Sequence, residues 1–98
     1  MTNFVALDIE TANMDRSSIC QIGITEIIDG VIQPSKSWLV QPEGNYYDSF
    51  NIEIHGIKPE DTVNSPSFPE VWTEVYPYLK DKVVVAHNTS FDMYALRD

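Results

Sequence analysis

Basic residues are scarce in this chain: six lysines and arginines stand against fifteen aspartates and glutamates, for a formal net charge of −9. That balance excludes a broad basic surface that grips nucleic acid through its phosphates. It does not exclude chemistry on nucleic acid, because divalent cations held by carboxylates reverse the local field at a phosphate while the remaining surface stays acidic. For most of these acids, solubility is explanation enough. Cysteine is rarer still. The single thiol, Cys20 among 98 residues, excludes an internal disulfide. Met1-Thr2-Asn3 carries no positive charge and Asp8 interrupts the first apolar run, so no secretory leader is read, and the expected location is the cytoplasm. Long apolar runs are missing too, and nothing approaches the ~20 residues that span a bilayer. Repeats, low-complexity tracts and linkers are absent. What remains, 43% hydrophobic and 21% charged, is the composition of one globular domain.

The chain opens with Phe4-Val5-Ala6-Leu7, a short apolar run suited to a central strand and continuing through Asp8, Ile9 and Glu10. Ile19 to Ile28 is rich in β-branched residues and reaches Asp29-Gly30, a tight-turn signal, so Val31 to Val40 returns as its partner strand. Pro34 lacks an amide donor and places that return strand at a sheet edge. Residues 41–66 read as a long irregular connection, which in a compact domain is often functional. Ser67 and Glu70 form a capping box, with Val71, Trp72, Val75 and Leu79 following at helical spacing. Pro77 predicts a kink or an early end. Val83-Val84-Val85-Ala86 reads as a second buried strand. Asn88, Thr89 and Ser90 are caps for a final helix through Phe91, Tyr94 and Ala95 that has no visible stop.

Asp8 and Glu10 stand two residues apart on a predicted strand, so both carboxylates leave one face. Two anions side by side there are unfavourable unless a cation lies between them. Mg²⁺ or Mn²⁺ suits such a cluster, being a hard ion that prefers oxygen. A strand ending at Leu7 with both acids in solvent fits the pattern equally well. Asp92 tips the balance. It falls in the first turn of the helix after the second central strand, and the carboxyl ends of neighbouring parallel strands share one ligand-binding edge. Taken alone, Asp92 is explained by favourable interaction with a helix N-terminus.

Phe4-Val5-Ala6-Leu7-Asp8-Ile9-Glu10-Thr11 resembles the first motif of the DEDD exonuclease superfamily. Val85-Ala86-His87-Asn88-Thr89-Ser90-Phe91-Asp92 resembles its second. The spacing and intervening hairpin resemble the branch containing the proofreading epsilon subunit of bacterial DNA polymerase III and ribonuclease T. Asn51 to Ile57, containing Ile54-His55-Gly56-Ile57, resembles the loop these proteins carry before their first long helix. The resemblance covers essentially the whole chain. It implies an α/β, ribonuclease H-like mixed sheet: three antiparallel strands, then helix, parallel strand and helix. It implies a 3′→5′ exonuclease of proofreading or repair type that cleaves phosphodiesters at single-stranded DNA or RNA ends with two Mg²⁺ or Mn²⁺ ions. By position, Asp8, Glu10 and Asp92 are then catalytic metal ligands, with Asp8 bridging both ions. Thr11, His55, Asn88 and Phe91 are the substrate-binding candidates, and a DNA polymerase is the implied partner. Ile9, between the acids, belongs to the core.

The family's third motif, a histidine with a fourth aspartate five residues later, has no match. Asp98 lies about 240° around a helix from Asp92 and points elsewhere. Residues 1–98 are therefore expected to be the N-terminal portion of one exonuclease domain, stopping before its last strand and helix, and weak or inactive as a piece. Its 83–86 strand edge is expected to invite self-association. Neither histidine is assigned as the general base: His87 suits hydrogen bonding near the strand end, while His55 suits either the substrate groove or solvent. Phe50, Tyr46 and Tyr47 are candidate base-stacking rings, Trp72 a core residue, and Cys20 a buried, inert thiol. The alternative is a non-catalytic metal-binding or polymerase-associated module. A purely structural domain leaves the paired acids unexplained.

Overall fold

A computed structural model describes residues 3–15 and 17–88. Its frame is a five-stranded mixed sheet. β1 (Phe4–Thr11) pairs antiparallel with β2 (Ile19–Ile28) and parallel with β5 (Val84–Asn88). β3 (Val31–Ile32) and β4 (Lys36–Leu39) both pair antiparallel with β2. The hairpin turns at Asp29 and Gly30, whose φ values of 53° and 79° give the positive-φ pair that matches strand twist. The expected return strand is broken in two around Gln33-Pro34-Ser35. Proline has no N–H to offer the ladder, so pairing lapses and resumes two residues later.

The connection over 41–66 is not irregular throughout. It contains a 3-10 turn over Glu43–Asn45 and two short helices, α1 (Ser49–His55) and α2 (Pro59–Thr62). Asp48 caps α1 by accepting from the Phe50 amide at 2.9 Å, and Gly56 ends it in the left-handed region at φ 76°. α3 (Phe68–Leu79) begins as expected, with the Glu70 carboxylate taking the Ser67 amide at 3.4 Å and hydroxyl at 3.1 Å. It runs through Pro77 and ends two residues later.

α3 covers one face of the sheet. Val71 and Val75, one turn apart, pack with Val5 and Leu7 of β1 and Ile22 and Ile24 of β2, and Ile9 and Trp72 pack partly buried against them. Alternation along β1 sends Phe4, Ala6, Asp8 and Glu10 to the other face. A second, smaller cluster of Ala12, Cys20, Tyr47 and Ile57 joins α1 and the following loop to the sheet.

The 83–86 run is a strand but not a buried one. Val83, Val84 and Val85 are 68%, 38% and 55% exposed. Among the described residues β5 pairs only with β1, so it is an edge strand, and its apolar run is uncovered. Asn88 lies in β5, while Phe91 and Asp92 lie outside the described residues together with the expected final helix.

Core packing predicts unequal sensitivities along the sheet. Ile22→Ala, at a site 1% exposed, should cost about 2–5 kcal/mol. Ile32→Ala, at a site 74% exposed, should stay within about 0.5 kcal/mol. Urea unfolding measures both; equal losses would show that β2 does not carry the core described here.

Candidate functional site

Asp8 and Glu10 leave the sheet face away from α3, as the strand period requires. Successive same-face positions on a strand are roughly 6.6 Å apart, close enough for two carboxylates to share a cation. Asp8 lies opposite Gly23 on β2 and in register with His87 on β5, while Glu10 lies opposite Gln21. A Cβ at position 23 would stand 3.6 Å from that of Asp8, so glycine leaves open the space beside the carboxylate. An open recess of about 410 Å³ results, its lining including Asp8, Glu10, Gln21, Thr25, Ser37 and His87.

Asp8 is exposed and Glu10 half-buried. Glu10 Oε1 is buried and has no hydrogen-bond partner among the described residues. An unpaired carboxylate oxygen out of contact with water is costly, and two neighbouring anions add repulsion; a divalent cation relieves both. The donor set, carboxylate oxygens only, fits Mg²⁺ or Mn²⁺. The described residues hold no group of three or more histidine, cysteine or acidic side chains placed to bind a metal. They supply two of the three expected ligands. The expected third, Asp92, lies outside them, four positions after Asn88, which is in register with Ile9 between the two acids.

Thr11 follows Glu10 directly and is fully buried. Its carbonyl accepts from Asn51 Nδ2 at 3.0 Å and lies 2.9 Å from His55 Nε2. His55 occupies the last turn of α1 rather than a loop. Its Nδ1 accepts from the Ile57 amide at 2.9 Å, which makes Nε2 the N–H that donates to Thr11. Both ring nitrogens thus serve backbone, and neither is free as a base. From the sequence, Asn51 reads only as the start of a family-like loop, with no role of its own. It shares a helix face with His55 at i,i+4 spacing, a signal that exists only once 49–55 is read as a helix.

Tyr47 is turned inward. Its hydroxyl lies 2.7 Å from Thr62 Oγ1, and Thr62 donates to Asn45 Oδ1 at 2.8 Å, so Tyr47 is the donor in the first bond. Burial raises its pKa, and its ring is unavailable to a nucleobase. Tyr46 and Phe50 are 65% and 54% exposed. Cys20 is buried as expected, and desolvation pushes its thiol up to about 11.

Comparison with known proteins bears on the family and the fold. The RNase_T family, described as an exonuclease, matches residues 5–98. A PolC-type DNA polymerase III from Thermotoga petrophila is 36% identical over 96 residues, covering 96% of this chain and 7% of its own length. The DNA polymerase III epsilon subunit of a Buchnera aphidicola strain is 28% identical over 96 residues, covering 91% of this chain and 40% of its own. Among solved structures, exonuclease X in complex with 5′ overhanging duplex DNA superposes with a TM-score of 0.72 at 26% identity, over 86% of this chain and 48% of that one. Cell-death related nuclease 4, at 19% identity and a TM-score of 0.67 over 94% of this chain and 36% of that one, shows the same fold. The mixed sheet is thus the ribonuclease H-like sheet of exonucleases. The chain spans less than half the length of each of these relatives.

The buried thiol gives a direct check on this end of the sheet. A thiol whose pKa is higher in the folded than in the unfolded chain stabilises the fold fully below the unfolded value of 9.0. That contribution is lost as pH rises toward about 11. At pH 8 Cys20 should therefore resist an aromatic disulfide reagent until the chain unfolds in urea. Immediate reaction in the native chain would contradict the packing of α1 described here.

Proposed function

The chain belongs to the RNase_T exonuclease family, and from that premise we propose that it carries the metal-binding half of a 3′→5′ exonuclease centre acting on single-stranded DNA or RNA ends. Exonucleases of this family generally work with divalent metal ions. The observation that carries the reading is the pairing of Asp8 with Glu10 on one strand face, with Glu10 Oε1 buried and unpartnered. Asp8, Glu10 and Asp92 are assigned as the ligands of two Mg²⁺ or Mn²⁺ ions. When bound, such ions supply charge stabilisation at the phosphate and activation of the attacking water.

The chain's own residues have separate tasks. Asp8 and Glu10 hold two negative charges at a fixed spacing beside an open recess. Gly23 keeps that recess clear. Thr11 and His55 serve the terminal nucleotide through the backbone they fix, since neither ring nitrogen of His55 is free. Asn88 and Phe91 are assigned to the same nucleotide on the strength of the motif resemblance. With a net charge of −9, affinity for the strand rests on the bound cations rather than on a basic surface. The PolC-type and epsilon relatives favour a role beside a DNA polymerase in replication, and hence in the cytoplasm. No helix among the described residues is long and apolar enough to cross a membrane.

The test is a 5′-labelled single strand incubated with Mg²⁺ or Mn²⁺ and a protein that carries this chain together with the third motif. Stepwise shortening from the 3′ end is expected, stopped by chelator. Asp8→Asn should reduce it by about 100-fold or more, since even the outer-shell partners of metal ligands are worth roughly 10–100-fold. A folded protein that binds metal yet leaves strands uncut would instead support a non-catalytic, polymerase-associated module.

A further inference from the structure

We infer that Asn51, together with His55, is a positioning residue that sets the Glu10 carboxylate for metal binding. The inference rests on the metal reading above and concerns α1, which that reading leaves without a ligand role. The sheet ladder slips in register between Glu10 and Thr11, so regular pairing loosens at the position that follows the second acid. Side chains of α1 add to the pairing there. Asn51 Nδ2 donates to the Thr11 carbonyl at 3.0 Å and to the Asn13 carbonyl at 3.2 Å, and lies 3.4 Å from Thr11 Oγ1. His55 Nε2 adds a second donor to the Thr11 carbonyl. The intervening Ala12 is held through its backbone, its amide donating to Ser18 at 2.7 Å and its carbonyl accepting from Asp48 at 2.8 Å.

Asn51 is 0% exposed, and its Oδ1 is buried without a partner among the described residues. The amide cannot turn round to satisfy it, because Oδ1 would then face the oxygens that Nδ2 now serves. The chain keeps an unsatisfied buried acceptor in exchange for a two-way grip on the strand end, which buried packing alone does not require. That grip fixes the Thr11–Ala12 peptide, one step along the chain from Glu10, whose own carboxylate has a buried oxygen with no hydrogen-bond partner among the described residues. Hydrogen bonds made directly to metal ligands orient them and raise affinity. Here the same effect is transmitted through the backbone of Thr11 rather than through a bond to the carboxylate.

The experiment is a Mn²⁺ titration followed by electron paramagnetic resonance on the chain and four variants, with thermal unfolding measured in parallel. The isosteric Asn51→Asp replaces the donor by an acceptor facing carbonyls and should weaken Mn²⁺ binding about tenfold or more. His55→Phe should weaken it as well. His55→Gln, whose amide nitrogen replaces Nε2, should stay within about threefold of the original, and this pair decides the matter if Asn51→Asp does not fold. Val75→Ala lowers stability through the core and should leave affinity unchanged. The inference is overturned if Asn51→Asp and both His55 variants bind Mn²⁺ as the parent chain does, or if Val75→Ala weakens binding equally. Failure of the parent chain to bind Mn²⁺ would remove the metal reading and the inference with it.

Discussion

An extended strand sends alternate side chains to opposite faces, and the two faces of β1 have incompatible requirements. Val5, Leu7 and Ile9 lie with Val71 and Val75 of α3 in the core, while Asp8 and Glu10 look the other way. A slip of one residue would bury both carboxylates and expose the core set. Two neighbours prevent the slip. β2 pairs with β1 across its whole length, and β5 pairs with Val5 through Ile9 on the opposite edge. The acids are therefore fixed in place by apolar packing on the face they do not share.

The site lies where this regular pairing gives way. Past Glu10 the register shifts, and hydrogen bonds from α1 are added to the ladder at the strand end. Such an arrangement suits a centre that must hold charge. The helix supplies donors to backbone from inside the protein, and the recess on the other side stays polar and open. Tyr47, Thr62 and Asn45 fasten the segment after β4 in a hydrogen-bonded chain of their own, so α1 is supported from behind. Cys20 sits between these two groups, its Sγ 3.9 Å from His55 Nε2, as a packed and unreactive filler.

Much of this was legible before any coordinates, and the failures have physical reasons. The Asp29-Gly30 turn, the Ser67–Glu70 cap and the alternation in β1 depend on nearest neighbours, and each stands in the fold. Parallel pairing of the 83–86 run with the first strand was implied by the family resemblance, and the strand forms over 84–88. Pro34 was read correctly as an edge residue, yet its effect went further and divided the return strand. The helices at 49–55 and 59–62 escaped because one or two turns carry too little periodicity to register. Asn51 escaped with them, and Tyr47 was misjudged as an available ring because its partner Thr62 is fifteen positions away. Burial of Val83 to Val85 was inferred from hydrophobicity alone, but burial depends on what lies over a strand, which no local pattern specifies.

The central claim is that Asp8, Glu10 and Asp92 converge on divalent metal, and crystals grown with Mn²⁺ address it most directly. The account predicts anomalous density beside β1, within coordination distance of carboxylate oxygens from both Asp8 and Glu10 and with Asp92 turned toward it. Density confined to other sites, or Asp92 directed away from the first strand, would contradict it.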